Sequence, residues 1–290
     1  MGRRFDTISF LTDYGTEDEF VGVVKSIVRD IAPHVQVIDL THAIAPYDVR
    51  AGSLALARSI PYVPAGVVLA VVDPGVGTAR RAIAIEVAGG DGVLVGPDNG
   101  LLAPAVALAG GADRAVVLDV ESLHLQSPGA TFAGRDVFAP VAAQLCNGLD
   151  LYEVGTPVDP ATLLPGVIPL PREDGDGLQC EVLWVDHFGN CQLNIGPDDI
   201  VGWGDRVRLR VPDPAGGTTI RSAAVVANFE QIGPGAIGLV VDSTGMLAVA
   251  VDRGSAAAQV PLHVGAEVTL LRDDSEGPST PVVLGRRPTA

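Results

Sequence analysis

Aromatic residues make up only 4% of this chain, so any core must be filled by Val, Ala, Leu and Ile. Positive charge is scarce as well. Nineteen Lys and Arg face 35 Asp and Glu, leaving a formal charge of -16. A surface that acidic repels phosphate backbones and anionic lipids, which argues against nucleic acid and membrane partners. There are three cysteines, Cys146, Cys180 and Cys191, an odd number with no CxxC pair. They predict neither a disulfide framework nor a thiolate zinc site, but buried thiols. The five histidines, His34, His42, His124, His187 and His263, lack ligand spacing, so no metal is expected. No run approaches the roughly 18 apolar residues of a membrane span. The opening MGRRFDTISF has basic residues with no apolar stretch behind them, which reads as a strand rather than a signal peptide. A reduced, cytoplasmic protein is the expectation. GxxxxGK[ST], HExxH and GxSxG are also missing.

What is present is a chain of 290 residues, 47% apolar, long enough for one large domain or two ordinary ones. Strand-like runs at 7–11, 35–40, 67–72, 92–95 and 115–120 alternate with helix candidates at 18–31, 49–60, 101–109 and 135–146. Several runs are almost wholly apolar, as strands covered on both faces must be. The first helix candidate reads DEFVGVVKSIVRDI, with two acids placed in its first turn. This half, residues 1–155, predicts an α/β domain with a mostly parallel sheet sandwiched by helices. Residues 156–177 hold five prolines and several acids, and read as a linker. Only strand signals follow, at 179–185, 206–211, 220–228, 237–241, 247–251 and 268–271. They predict a small all-β barrel or sandwich over 178–272, antiparallel, with a loose tail at 273–290.

Ligands in open α/β sheets bind beyond the carboxyl ends of the strands. Three acids sit there: Asp13 in Leu11-Thr12-Asp13-Tyr14-Gly15, Asp73 in DPGVG, and Asp98 in GPDNG. Singly, each reads as a helix cap or Asx-turn. Together at one edge they suggest convergence on a ligand. The stretch DPGVGTARR is not a dinucleotide fingerprint, because Arg80 stands where a third glycine belongs. In the second half DHFGN at 186–190 reads as a tight turn or bulge, and DSTG at 242–245 as a hairpin turn.

The segments LTDYG (11–15), VVDPGVGTARR (71–81), VGPDNGLL (95–102), GRDVFAP (134–140), VDHFGNCQLNI (185–195) and VDRGSAA (251–257) together resemble the SAM hydroxide adenosyltransferases. That family is related to the fluorinase and chlorinase that use S-adenosyl-L-methionine (SAM). The likeness runs from about Ile8 to Leu271. It implies an α/β domain followed by a barrel, and a homotrimer whose sites lie between one subunit's first domain and a neighbour's barrel. It implies SAM as substrate, adenosine and L-methionine as products, and no cofactor. Asp13 is implied to hold the ribose hydroxyls, Asp18 to face the methionine end and Tyr47 to line the site. Phe132 is implied to bind substrate too. From the barrel, Asp186 and Asn190 are implied to contact polar atoms and Phe188 and Phe229 to pack on the purine. Ser243 is implied to hold the amino-acid group, while Arg253 and Ser255 offer backbone groups to adenine. The family's catalytic set is Asp, Arg and His. Asp73 and Arg80 match the first two, but in Thr131-Phe132-Ala133-Gly134-Arg135-Asp136 the position of the His is occupied by Ala133.

The expected reaction is hydrolysis of SAM by attack of water on the ribose 5′-carbon, slowed by the vacancy at Ala133. The sulfonium leaves as a neutral thioether, so the difficulty lies in aiming water. A carboxylate can orient it, and a permanent guanidinium can stabilise developing hydroxide. Two alternatives stand beside this one. A halogenase is disfavoured because the halogenases resemble one another in carrying Tyr at the position of Asp73, and a carboxylate repels halide. A catalytically silent SAM-binding protein is the other.

Overall fold

Residues 67–72 carry no polar position because both faces of that strand are covered. Val67, Leu69 and Val71 point into one core, and Val68, Ala70 and Val72 into another. The computed structural model describes residues 2–175, 177–213 and 216–273. The chain divides into two compact units after Ile168.

The first unit holds β1 (Thr7–Thr12), α1 (Phe20–Ile31), β2 (Gln36–Thr41), α2 (Val49–Ser59), β3 (Gly66–Val71), β4 (Ala82–Val87), β5 (Gly92–Pro97), α3 (Ala103–Leu108), β6 (Ala112–Val117), α4 (Ala139–Cys146) and β7 (Thr156–Pro157). The sheet order is β2-β1-β3-β5-β4-β6-β7. The first four strands pair in parallel, while β4, β6 and β7 pair antiparallel. Val24 and Val28 of α1, and Val141, Ala142 and Leu145 of α4, fill one core. Leu56 of α2 and Ala105 of α3 fill the other. The mostly parallel, helix-covered sheet is therefore the expected one.

Three local expectations change. Strand β4 was not among the predicted runs. Its sequence, AIAIEV, alternates alanine with isoleucine, so the small residues blur the apolar period, yet it runs back beside β5. Helix α1 begins only at Phe20, so Asp18 and Glu19 precede its first turn instead of occupying it. The stretch predicted as a linker starts as part of the first unit. Val158 donates to the Ala115 carbonyl (3.0 Å), and the Arg81 guanidinium reaches the Thr162 carbonyl (2.6 Å).

The second unit contains β8 (Arg172–Asp174), β9 (Gly177–Val185), β10 (Cys191–Leu193), β11 (Arg206–Pro212), β12 (Thr218–Val226), β13 (Ile237–Val241), β14 (Leu247–Val251), α5 (Ala256–Gln259) and β15 (Glu267–Arg272). Strands β10-β14-β13-β12-β11-β15-β9 follow one another, and β9 pairs back to β10, closing a seven-stranded barrel. Closure removes the free edges an open sheet would expose. One pairing departs from the antiparallel expectation: β12 and β13 run parallel, Ala223 opposite Ile237. The residues joining them, 227–236, include a short 3₁₀ turn at Phe229–Gln231. Val182, Leu193, Leu209, Leu239, Val249 and Leu270 are completely buried inside. The predicted loose tail falls almost wholly outside the described residues.

Candidate active site

Strands β1 and β3 are parallel neighbours, with Thr12 opposite Val71. The chain leaves both strands at the same edge, with Asp13 one residue beyond Thr12 and Asp73 two beyond Val71, so the two acids emerge at one end of the sheet. The two glycines of DPGVG belong to the turn that follows β3. Gly77 has φ +76°, and a Cβ on Gly75 would stand 3.1 Å from Arg80 Cγ. The turn thereby folds Arg80 back onto Asp73. Arg80 Nε donates to both carboxylate oxygens at 2.9 Å, and its Nη2 adds a further bond to Oδ2. The two side chains are only 16% and 5% exposed. The guanidinium also lies over the Phe138 ring, 5.1 Å from its centroid. Paired in this fork, the carboxylate keeps lone pairs for a further donor, and the cation is fixed beside it.

Asp13 accepts the Tyr47 N–H at 2.8 Å. Tyr47 sits in the left-handed region, φ 69°, with its side chain 73% exposed. Such a conformation costs a non-glycine residue on the order of 1–3 kcal/mol, and the bond to Asp13 helps hold it. Asp18 is exposed in the loop before α1. Phe132 packs edge-on against Phe20 (5.0 Å) and Tyr14 (5.7 Å). Ala133 follows it on the rim of the first core, at the start of a single π-helical turn, Gly134–Phe138, that runs into α4. Turns of this type recur at functional sites.

Asp98, the third acid at the edge, does not join this group. Arg81 Nε donates to its Oδ2 (2.8 Å) and the Leu164 N–H to its Oδ1 (2.8 Å). The carboxylate is thereby consumed in fastening residues 162–164, so the expected convergence of three acids reduces to two.

Sequence reading missed Tyr14 and the residues behind it. Burial, reinforced by the charges of Asp13 and Asp73 and opposed by Arg80, holds the Tyr14 phenol proton well above its ordinary range. Tyr14 N–H donates to Thr12 Oγ1 (3.1 Å), and Thr12 is bonded to His42 Nδ1 (2.8 Å). His42 Nε2 meets Asp39 (3.1 Å), whose carboxylate also accepts from Lys25 Nζ (2.6 Å). An ionised carboxylate only accepts, so His42 Nε2 is the donor to Asp39. Tyr14 stood in the LTDYG segment, but nothing in spacing tells a buried phenol from a packing aromatic.

In the barrel, the turn between β9 and β10 is built on Asp186. Its Oδ1 accepts the N–H groups of Phe188 (2.9 Å) and Asn190 (2.8 Å), and its Oδ2 accepts Asn190 Nδ2 (2.8 Å). A Cβ at Gly189, φ +85°, would fall 2.2 Å from Ser255 Oγ, so only glycine lets this turn lie against α5. Ser255 Oγ caps α5 by accepting from the Ala258 N–H (3.1 Å). Phe188 is left 75% exposed. The turn borders an open cavity of about 1270 Å³. Asp186, Phe188, Asn190, Phe229, Ser243, Arg253 and Ser255 all line it, which brings together every barrel residue singled out from sequence. The DSTG segment is the β13–β14 hairpin turn, in which Asp242 caps the N–H groups of Thr244 and Met246. Trp184, Gln192, Glu230 and Asp252 also line the cavity and were not anticipated.

Family models for the SAM hydroxide adenosyltransferase N-terminal and C-terminal domains match residues 8–155 and 180–269. The chain belongs to the SAM hydroxide adenosyltransferase family. It is 49% identical over 251 residues to the (R)-S-adenosyl-L-methionine hydrolase of Salinispora tropica, covering 86% of this chain and 92% of that protein. It is 41% identical to the protein of the same name from Thermus thermophilus, with 91% and 99% covered. Proteins named fluorinase are more distant, such as that of an Actinoplanes species at 26% identity. Among solved structures, an uncharacterised conserved protein from Thermotoga maritima superposes with a TM-score of 0.82 at 36% identity, covering 91% of this chain and all of that one. Within this adenosyltransferase chain, no group of three or more His, Cys, Asp or Glu among the described residues could hold a metal ion. Nor is any described helix long and apolar enough to cross a membrane.

Proposed function

We propose that this chain hydrolyses SAM to adenosine and L-methionine. The observation that carries the reading is the nearly buried Asp73–Arg80 pair at the carboxyl edge of β3, the same sheet edge at which Asp13 follows β1, in a chain of this family. The water oxygen forms a bond to the ribose 5′-carbon as the carbon–sulfur bond breaks. The electron pair of that bond passes to sulfur, which leaves as the neutral thioether of methionine. The water proton departs through Asp73 to solvent. Asp73 orients the water, and Arg80 stabilises the hydroxide character that develops on it. Orientation of this kind supplies up to roughly 7–11 kcal/mol in favourable intramolecular reactions. Proton transfer to a positioned group adds about 10²–10⁴-fold.

The substrate roles follow the same reading. Asp13 takes the ribose hydroxyls, with Asp18, Tyr47 and Phe132 around the sugar and methionine. The barrel cavity takes the nucleoside base between Phe188 and Phe229, and Asp186, Asn190, Ser243, Arg253 and Ser255 supply its polar contacts. The cavity exceeds the roughly 300–1,000 Å³ of ordinary small-molecule pockets. We further propose a homotrimer in which a neighbouring copy's barrel completes each site. Sedimentation of the purified chain at threefold mass supports the assembly, and a monomer rejects it.

Incubating the chain with SAM in water and separating the products tests the activity. Adenosine and methionine in equal amounts are expected. Asp73→Asn is expected to lower the rate at least about 10²-fold while calorimetry shows SAM still bound. SAM recovered intact from the native chain removes the reading. Formation of 5′-chloro-5′-deoxyadenosine in chloride replaces it with halogenation.

A further inference from the structure

Tyr14 is the one phenol at the sheet edge for which the hydrolytic scheme has no use. It lies two residues beyond Thr12, as Asp73 lies two beyond Val71, and Thr12 and Val71 are partners in adjacent parallel strands. The two residues therefore leave the sheet in step. On its other side the Tyr14 hydroxyl rests on the π-helical turn, where a Cβ at Gly134 would come within 2.2 Å of the phenol oxygen. The ring is clamped edge-on by Phe132 and tilted against Phe20 (5.8 Å). Its backbone is tied through Thr12 to His42. Its hydroxyl makes no hydrogen bond to another described residue.

We propose that the Tyr14 hydroxyl is a positioning group for the attacking water, donating a hydrogen bond within the space bounded by Asp13, Asp73, Arg80 and Gly134. The proposal rests on the hydrolase reading and extends it to a residue that reading leaves idle. A phenol suits the place. Asp73 offers the water an acceptor, Arg80 commits Nε and one Nη2 proton to that carboxylate, and a donor on the π-helical side gives the water a further fixed contact. Burial and the two neighbouring carboxylates keep the Tyr14 proton in place, so the group acts as a donor and not as a base. The packing that locks the ring also fixes where the O–H points. Gly134 is required because any side chain there would evict it.

Tyr14→Phe removes the hydroxyl and keeps the ring between Phe20 and Phe132. Loss of one preorganised donor predicts a fall of about 10²-fold in kcat, with KM for SAM and the calorimetric affinity within twofold of the native chain. A purely structural tyrosine would move affinity and the unfolding midpoint instead. If Tyr14 and Asp73 act on the same water, their losses are not independent. The Tyr14→Phe, Asp73→Asn double variant is then little slower than Asp73→Asn alone. A Tyr14→Phe variant with native kcat overturns the proposal, as do losses that multiply in full. A native chain that releases no adenosine removes the hydrolase reading and this proposal with it. An active native chain with an unimpaired Tyr14→Phe variant removes the proposal alone.

Discussion

Single residues in this chain owe their chemistry to where burial and charge place them. Cys146, Cys180 and Cys191 show the inert case. All three are buried and unpaired, and burial, followed by a neighbouring carboxylate for each, pushes their thiols up to about 12. The thiolate is the reactive form, so none of them reacts readily near neutrality. The folded chain is expected to take up no alkylating reagent at pH 8, and three equivalents once unfolded. Mass spectrometry before and after denaturant counts them. Gly189 shows how little room a functional turn leaves. Its φ of +85° and its contact with Ser255 leave no place for a methyl group. Gly189→Ala is expected to cost about 1–3 kcal/mol in denaturant unfolding, and to weaken SAM binding by shifting Phe188 and Asn190.

At the level of elements, the site depends on strands that end together and on loops fastened behind them. Strands β1 and β3 bring Asp13, Tyr14 and Asp73 to one edge by register alone. The segment after β7 is held from beneath by Asp98, buried at the end of β5, through Arg81 and the Leu164 N–H. Asp98→Ala leaves Arg81 without its carboxylate and Leu164 without its acceptor. The expected loss is at most about 3–5 kcal/mol, the range for fully buried pairs, since the Arg81 side chain is 34% exposed. Residues 158–168 should then be cut first in limited proteolysis, while the barrel fragment survives. Equal cleavage of native and variant chains at that segment refutes the fastening role.

Over the whole molecule, charge decides how the fold answers to pH. Asp39 and Asp150 in the first unit both titrate below their ordinary 3.8. For Asp39, partial burial pushes upward, but hydrogen bonds from Lys25 and His42 outweigh it. For Asp150, the Tyr152 N–H comes first, and Arg114 adds to it against some burial. A carboxylate with a depressed folded pKa contributes stability above its unfolded value and loses it as pH falls through the folded one. Stability should therefore hold down to about pH 5 and decline below about pH 4. Asp39→Asn, Asp150→Asn should flatten that decline in thermal melts. An unchanged acid limb in the double variant would contradict the assignment.

The order of motifs, the covered strands of the first unit and the seven barrel residues that share a cavity were all legible in the sequence. Each is written in local terms: an apolar run with no polar face, a glycine turn, or a segment matching a family. The meaning of Asp98, the existence of β4 and the role open to Tyr14 were not. Asp98 reads like Asp13 and Asp73 until Arg81 and Leu164 are seen closing on it. Strand β4 hides because alanine is small enough to sit on either face. Tyr14 is one aromatic among few until parallel pairing sets it level with Asp73 and the π-helical turn closes over its hydroxyl. Composition and motif fix what a residue is able to do. Which groups meet depends on strand register and chain reversal, which arise from contacts between segments far apart in sequence.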